Sequence, residues 1–560
     1  MNLEMVWLLA VLGAPLAAAL CLVLLRARGP VRISASPVPS GPGRGGTEAD
    51  RMLRDPARSG MLRDPARSGM LRDPAKDASA SGTDADRMLR DPARSGMLRD
   101  PRLPGWIAGL GALLSLIATF ALLPALHRDT VPALSIAWIP AANIQLALHL
   151  DWLTFPFLVT EAAVTLVAVI YSWGYHHPDE RTPFFYALLM LFAVGMSGTT
   201  LADSIFLFYV FWELMLIASC ALIAVWGDGE QRGAVALKYF IFTHLGSLMV
   251  LVGLILLYDA AGSDSFSALR SGVILPAGLA TTAIVLFLIG FCVKMAVFPL
   301  HLWLPDAHTV APMSVTIMLA AAMLSMGTYG ILRFPMSIFT RAQMAPFATP
   351  MMVAGIVSEI YGALMSLAER DIKRIIAYSS VSQMGYILFG LGTLTQQGVT
   401  GATLHVIYHA IVKALLFMCA GWVIRATGRR RIEELGGLGK PMSLAAVCTA
   451  VGALAIAGTP PFCIFDSEWM IFAGGFHSGQ IGLSILALFG SLLTVAYALW
   501  FLGRLFFGRL PEGLTVRRPP LTMIVPTAFL AVLALVEGLY PAPVFAWVSR
   551  EMAFLLGGAW

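Results

Sequence analysis

The chain has 560 residues, of which 58% are hydrophobic and 13% are Asp, Glu, Lys or Arg, with a formal net charge of +5. Soluble proteins carry about a quarter charged residues, so this composition excludes an ordinary soluble domain and indicates a polytopic membrane protein. The modest charge gives no indication of a nucleic-acid partner.

Apolar segments of about 20 residues, long enough to cross the hydrocarbon core of a bilayer, recur along the chain. We predict fourteen membrane-spanning segments, and we expect helices because only helices or closed barrels satisfy their backbone in lipid. The segments are 5–25, 106–126, 152–172, 183–200, 203–226, 233–258, 278–299, 309–332, 347–368, 374–394, 401–424, 442–473, 482–506 and 521–545. The predicted fold class is an all-α polytopic membrane protein.

A polar insert, residues 26–104, separates the first two predicted helices. The sequence "MLRDP" begins at positions 52, 61, 70, 88 and 97 of this insert. Recurrent proline prevents a long helix, and two large apolar residues per unit cannot build a core. We predict a disordered cytoplasmic loop, and the alternative is an arginine-rich strip that touches anionic lipid.

The sequence contains no recognisable cofactor or metal motif. Its cysteines lie scattered in apolar segments without a C-x-x-C pair, which argues against an iron–sulfur cluster, a zinc site or disulfides. Phosphate-binding loops of the G-x-x-x-x-G-K-[ST] or G-x-G-x-x-G type are also missing from the sequence. We expect no catalytic residue, cofactor or metal on this chain, and any redox chemistry must belong to a partner.

Ionisable residues lie within the predicted spans, where each Lys or Asp costs roughly 2.5–3.5 kcal/mol at a helix centre. Such charges must face one another or water inside the bundle. For Glu161 and Lys238, which lie near span ends, a snorkelling or structural role is an equal alternative. The residues are Glu161, Glu213, Lys238, Lys294, His405, His409, Lys413 and Glu468.

Three of these residues form a regular row in the stretch "LHVIYHAIVKALLF". His405, His409 and Lys413 are spaced at i, i+4 and i+8, so they lie on one helix face over about 12 Å. His405 alone could be a core histidine. Together, the three residues predict a stepping row for protons.

Prolines interrupt two of the charged segments. In "FCVKMAVFPLHLWLPDAH", Pro299 and Pro305 follow Lys294, and the same stretch contains His301 and His308; in "GTPPFCIFDSEWMIF", Pro460 and Pro461 precede Glu468. Proline frees a backbone carbonyl, which is tolerated in a membrane where it lines a wet cavity. One charged, broken helix in each half of the chain indicates a transport site built from inverted repeats.

These stretches, together with "FWELM", "ALKYFIFTHLGS" and "RDIKRIIAYSSVSQMGY", resemble the antiporter-like membrane subunits of respiratory complex I, the Mrp antiporters and energy-converting hydrogenases. The resemblance runs from about residue 150 to 510. It implies fourteen helices, two inverted five-helix repeats with broken seventh and twelfth helices, and proton translocation. The implied divisions are 1–25, the insert 26–104, 105–182, a first half 183–332, a second half 347–507, and a last helix and tail 521–560.

The resemblance also assigns roles to individual residues. Glu213 and Lys294 match the glutamate–lysine pair of the family, Lys238 matches a neighbouring lysine, and Lys413 matches the lysine of the second half-channel. Glu468 matches the terminal charged residue of the twelfth helix. We add His301, His308, His405 and His409 to this predicted proton pathway.

The resemblance leaves more than one member of the family open. Glutamate at position 468 is similar to subunit M and the hydrogenase subunits, whereas Lys413 is typical of subunits L and N and of Mrp and hydrogenase members. Ser325 stands where subunit M tends to have lysine. The combination fits an M-type subunit or a hydrogenase-type homologue.

The implied function is a membrane subunit of a redox-driven NADH:quinone translocase, and the alternative is a subunit of an Mrp-type cation/proton antiporter or of an energy-converting hydrogenase. The implied partners are other membrane subunits and a peripheral redox module that carries FMN, iron–sulfur clusters and quinone. Basic residues outside the insert concentrate in loops on one side. The positive-inside rule makes that side cytoplasmic, which places both termini outside a prokaryotic cell membrane.

Overall fold

A computed structural model of the protein describes residues 3–27, 102–131, 133–142, 144–176, 178–270 and 275–557. Residues 28–101, which make up most of the predicted insert, lie outside the described residues. The expectation that this segment is a disordered cytoplasmic loop therefore stays a prediction.

In the part of the chain that the structure describes, the elements form a long series of helices with one hairpin. In order they are α1 Leu3–Ala27, α2 Leu103–Ala121, α3 Leu123–His127, β1 Leu134–Ile139, β2 Ile144–Leu148, α4 Thr154–Tyr175, α5 Thr182–Leu201, α6 Ile205–Trp226, α7 Arg232–Ala261, α8 Phe266–Arg270, α9 Ala277–Met295, α10 Leu304–Val310, α11 Met313–Met318, a π-helical turn Leu319–Met323, α12 Ser325–Arg333, α13 Pro335–Ile338, α14 Arg341–Ala368, α15 Ile372–Gly392, α16 Gln396–Thr427, α17 Ser443–Ile456, α18 Cys463–His477, α19 Ile481–Phe506, α20 Leu521–Leu539 and α21 Ala542–Gly557. Short 3-10 turns lie at Pro140–Ala142 and Ile432–Glu434.

The predicted helical class is confirmed. Within the described ranges, 13 helices are long and apolar enough to cross a membrane. The predicted segment 442–473 is instead divided into the shorter helices α17 and α18. The predicted segment 309–332 corresponds to Met313–Ile338, a span that joins α11, the π-helical turn, α12 and α13.

Both predicted helix breaks are present. Helix α9 ends before Ala296, whose φ of 58° is left-handed, and helix α17 ends shortly before Gly458, whose φ is 61°. Pro299 lies in the first break, and Pro460 and Pro461 lie in the second, because proline cannot donate the hydrogen bond that would continue a helix. Pro305 lies in the first turn of α10, where its missing N–H costs no hydrogen bond.

A β-hairpin that was not predicted lies between α3 and α4. Strands β1 and β2 pair antiparallel, with Leu134 opposite Leu148 and Ser135 opposite Ala147. The backbone N–H of Gln145 donates to Asp264 at 3.0 Å, which ties the hairpin to the loop after α7. Its strands have 6 and 5 residues, too few for the membrane-length apolar signal that marks the helices.

An ion pair anchors the start of α4 at the same end of the bundle. The Arg333 guanidinium donates to the Asp151 carboxylate, and both side chains are largely buried. Burial would raise the pKa of Asp151, but the charge of Arg333 outweighs burial and holds this pKa well below its usual range. Nearby, Arg270 pairs with Glu551 at 3.0 Å, which attaches α21 to the end of α8.

Helices α14 and α15 pack with their backbones in close contact. A Cβ atom added at Gly362 would lie 2.3 Å from the Ser382 nitrogen, and one added at Gly385 would lie 2.5 Å from the Glu359 nitrogen. A methyl group at either position has no space, because the opposing atoms are backbone. This crossing fixes the position of Glu359 relative to α15.

We expect Gly385→Ala to lower the free energy of unfolding by about 1–3 kcal/mol, because overpacking forces the two backbones apart. Gly482→Ala is the matched control, since a Cβ atom there meets nothing within 4 Å. Thermal unfolding of the purified complex in detergent measures the difference. Equal midpoints for the two variants would contradict the close packing of α14 against α15.

Candidate ion-translocation site

Lys294 lies at the end of α9, just before the first break. Its side chain is buried, and its Nζ has no hydrogen-bond partner among the described residues. The ammonium lies 5.0 Å from the ring centroid of Trp212, a cation–π distance. Glu213, the next residue on α6, acts electrostatically on Lys294. The predicted glutamate and lysine therefore lie in the same region.

Glu213 makes its direct contact with a residue that the sequence analysis did not single out. Its Oε2 lies 3.1 Å from Nδ1 of His244, whereas no ion pair joins Glu213 to Lys294 within the described ranges. His244 is 36% exposed at the side chain, so the pair lies at the rim of the bundle. His244 could have been predicted as a site residue from the sequence, because it is an ionisable residue inside the apolar segment 233–258.

Lys238 belongs to a chain of ion pairs at the first break. Its Nζ lies 2.7 Å from Oδ2 of Asp306 on α10, and the other oxygen of Asp306 accepts from Arg374 at 2.6 Å. Arg374 also pairs with Glu369 at 3.0 Å. These contacts join the first half of the chain to α15. They favour the structural alternative for Lys238, while its place in a proton pathway stays a prediction.

Two cations bind the carboxyl end of the short helix α10. Lys373 is buried, and its Nζ donates to the carbonyl oxygens of Thr309 at 3.1 Å and Ala311 at 2.7 Å. Arg430 donates to the Thr309 carbonyl at 2.9 Å. Cations at a helix carboxyl end are favourable, so the second half of the chain holds this half-helix in place.

The two histidines of the first break are buried, and neither ring has a hydrogen-bond partner in the part of the chain that the structure describes. His301 lies against Tyr361, with ring centroids 4.9 Å apart. His308 stacks on Phe417 of α16 at 5.4 Å. His308 therefore lies beside the helix that carries the predicted proton row.

The predicted row on α16 is fully buried. Lys413 donates to the Ile376 carbonyl at 3.1 Å and to the Ser379 hydroxyl. His409 lies close enough to His308, His405 and Lys413 for electrostatic interaction with all three. The structure thus brings together His308 of the first break and the three residues of the row.

His405 connects this row to the second break. Its Nε2 lies 2.9 Å from Oε1 of Gln383, and its Nδ1 lies 3.1 Å from Oγ of Ser467. Ser467 immediately precedes Glu468 on α18. Hydrogen-bonded polar groups therefore lead from α16 to the residue beside the second predicted carboxylate.

Glu468 is buried, with its carboxylate directed back to the break. A Cβ atom at Gly458 would lie 2.1 Å from Oε2 of Glu468, so glycine provides the space that this carboxylate occupies. A second buried carboxylate, Glu359 on α14, interacts electrostatically with Glu468. Sequence reasoning missed Glu359, although a glutamate inside the predicted span 347–368 was visible.

The side chains gathered at this site are groups that bind and release protons. Among the described residues, no group of three or more His, Cys, Asp or Glu side chains is placed to hold a metal ion. The available groups are lysines, imidazoles and carboxylates in an apolar interior, where each can bind or release a proton. The arrangement suits transfer of a cation or proton between neighbouring groups.

Comparison with known proteins defines the class. Residues 202–494 match the family described as NADH:quinone oxidoreductase/Mrp antiporter, TM, and residues 138–186 match the family described as NADH-Ubiquinone oxidoreductase (complex I), chain 5 N-terminus. The chain therefore belongs to the antiporter-like membrane subunits of NADH:quinone oxidoreductases and Mrp antiporters. The resemblance stated from the sequence motifs is confirmed.

Individual relatives cover most of the chain. NADH-quinone oxidoreductase subunit M of Escherichia coli is 34% identical over 73% of this chain and 82% of its own length. The F(420)H(2) dehydrogenase subunit M of Methanosarcina mazei is 32% identical over 73% of this chain and 84% of its own length. A chain of respiratory complex I from Thermus thermophilus is 24% identical and superposes with a TM-score of 0.73, covering 81% of this chain and 96% of its own length.

Proposed function

We propose that this chain is a subunit M-type membrane subunit that translocates protons in a redox-driven pump of the NADH:quinone oxidoreductase type. One observation carries the proposal. Buried titratable or hydrogen-bonding groups continue from the first break to the second, through His308, Lys413, His409, His405 and Ser467, and end at Glu468. A structural subunit has no need of so many buried ionisable groups, because each one is costly in a membrane.

The proposed mechanism uses changes in the surroundings of buried groups. An ammonium in an apolar interior is stabilised by a nearby carboxylate and destabilised when that carboxylate moves away. A motion that changes the distance between Glu213 and Lys294 therefore changes the tendency of Lys294 to hold its proton. Redox turnover in a partner would drive this motion by stabilising one of the two arrangements over the other.

His244 extends this mechanism to the edge of the subunit. Its contact with Glu213 competes with Lys294 for the same carboxylate, and its partly exposed ring lies at the rim of the bundle. A motion that lengthens the 3.1 Å contact between His244 and Glu213 would free the carboxylate to approach Lys294. A neighbouring membrane subunit that contacts His244 on α7 would therefore change the position of Glu213.

We further propose the partners and the orientation that this function requires. Other membrane subunits and a peripheral redox module carry the FMN, iron–sulfur clusters and quinone. The protein resides in a prokaryotic cell membrane, with both termini on the outer side and the insert 26–104 in the cytoplasm, as the distribution of basic loops suggests. The divisions 183–332 and 347–507 then correspond to two proton half-channels.

The alternative function is cation/proton exchange in an Mrp-type assembly, or proton transfer in an energy-converting hydrogenase. The matching family also contains Mrp antiporters, and this supports the alternative. The buried lysines and histidines serve proton transfer in either case. The two functions differ in their driving force, since one uses electrons and the other uses an ion gradient.

Reconstitution of the purified complex into vesicles separates these functions. We expect proton uptake when NADH and a quinone are added, and no proton movement when only a sodium gradient is imposed. A pH-sensitive dye in the vesicle lumen measures the uptake, and an uncoupler that abolishes the signal is the control. Proton movement driven by the sodium gradient without an electron donor would favour the antiporter instead.

A further inference from the structure

Helix α14 carries a buried carboxylate that the proton pathway described above does not use. Glu359 has an exposed fraction of 0%, and neither of its carboxylate oxygens accepts a hydrogen bond of normal geometry from the described residues. Burying a carboxylate without a donor is costly. Among the described residues Glu359 has no ion pair, and the Tyr386 hydroxyl is the polar group that acts on its carboxylate at hydrogen-bonding range, so its burial requires another explanation.

The backbone positions Glu359 firmly. Its nitrogen lies at the tight crossing of α14 and α15, where a Cβ atom at Gly385 would approach it to 2.5 Å. On the opposite side, a Cβ atom at Gly490 of α19 would lie 1.9 Å from Oε1 of Glu359. The carboxylate therefore occupies a space between three helices that exists because position 490 has no side chain.

Glu359 faces the end of the proton row. It interacts electrostatically with Tyr386 and Glu468. The Tyr386 hydroxyl lies 3.0 Å from Oγ1 of Thr494, and its ring stacks on the His405 ring with centroids 5.7 Å apart. One tyrosine thus lies between the carboxylate of α14 and the histidine that leads to α18.

We propose that Glu359 is a further proton-binding residue, and that Glu359 and Glu468 act as a pair that holds one exchangeable proton. Two carboxylates that repel each other in an apolar interior cannot both be ionised at low cost, so the pair retains a proton. Transfer moves the proton from one carboxyl group to the other carboxylate and leaves the charge of the pair unchanged. This inference rests on the proposed proton-translocating function.

Infrared difference spectroscopy during turnover tests the pair directly. We expect the reconstituted wild-type complex to show a carbonyl stretching change of a protonated carboxylic acid. Glu359→Gln should remove part of this change and should slow proton uptake by at least about threefold, as loss of a group used in transfer requires. Glu512→Gln, the same chemical change at an exposed position, should alter neither signal.

Gly490→Ala provides a second variant that keeps the glutamate and displaces its carboxylate. We expect the carbonyl band of Glu359 to shift and proton uptake to fall, even if the glutamine variant fails to assemble. An unchanged band and undiminished uptake in Gly490→Ala or in assembled Glu359→Gln, beside a wild type that pumps, would overturn this inference alone. A wild type that takes up no protons would overturn the proposed function and this inference together.

Discussion

Lys413→Ala and Glu468→Gln are each expected to reduce proton uptake by reconstituted vesicles by about tenfold or more. Lys413 is held by the Ile376 carbonyl and the Ser379 hydroxyl, and Glu468 follows the second break. His409 and His405 lie between them on α16 and its hydrogen-bonded neighbours. Removing the titratable group at either end interrupts the same route. At the Lys413 end no other lysine can replace it, because residues 396–427 contain no second lysine.

The double variant Lys413→Ala/Glu468→Gln sharpens this test. If both residues serve one route, the double variant should lose little more than either single variant, since residues that act as a unit are not additive. Glu468→Asp should retain part of the activity because it keeps a carboxylate. Two independent losses that multiply in the double variant would instead assign the residues to separate roles.

The controls are exposed residues with the same chemistry. Lys440→Ala and Glu512→Gln remove a charge from exposed side chains and should leave proton uptake at the wild-type rate. Assembly of each variant is checked on a native gel before the flux is measured. Wild-type flux in assembled Lys413→Ala and Glu468→Gln would remove the second half of the chain from the mechanism.

Lys294→Ala is expected to reduce proton uptake by about tenfold or more, and Glu213→Gln is expected to reduce it by several-fold. The lysine is the buried titratable group at the first break, so its loss removes a proton-binding site. Glutamine at position 213 preserves the volume but removes the charge that acts on Lys294 and binds His244. The initial rate of dye response after addition of the electron donor measures both effects.

His244→Ala distinguishes the two contacts of Glu213. If the carboxylate acts only through Lys294, this variant should pump at the wild-type rate; if His244 controls the position of the carboxylate, the rate should fall as in Glu213→Gln. We expect the second result because the 3.1 Å contact with His244 is the direct one. Pumping at the wild-type rate in assembled Glu213→Gln would show that this carboxylate is structural.

The membrane class, the approximate helices and both breaks could be predicted from the sequence. These features depend on composition and local chemistry: a long apolar run must be helical in lipid, and proline in a helix interior removes a hydrogen bond and favours a break. The face shared by His405, His409 and Lys413 follows from helical periodicity in the same way. For such features, residues close in sequence contain the required information.

The partners of the charged residues were decided only by the tertiary structure. Glu213 contacts His244 rather than Lys294, and Lys238 pairs with Asp306, because side chains from separate helices meet according to how those helices cross. The space for Glu359 likewise depends on Gly490, a residue 131 positions away in the chain. Apolar pattern and proline position contain no information about such distant contacts, since they are fixed by packing between backbones that only the folded bundle brings together.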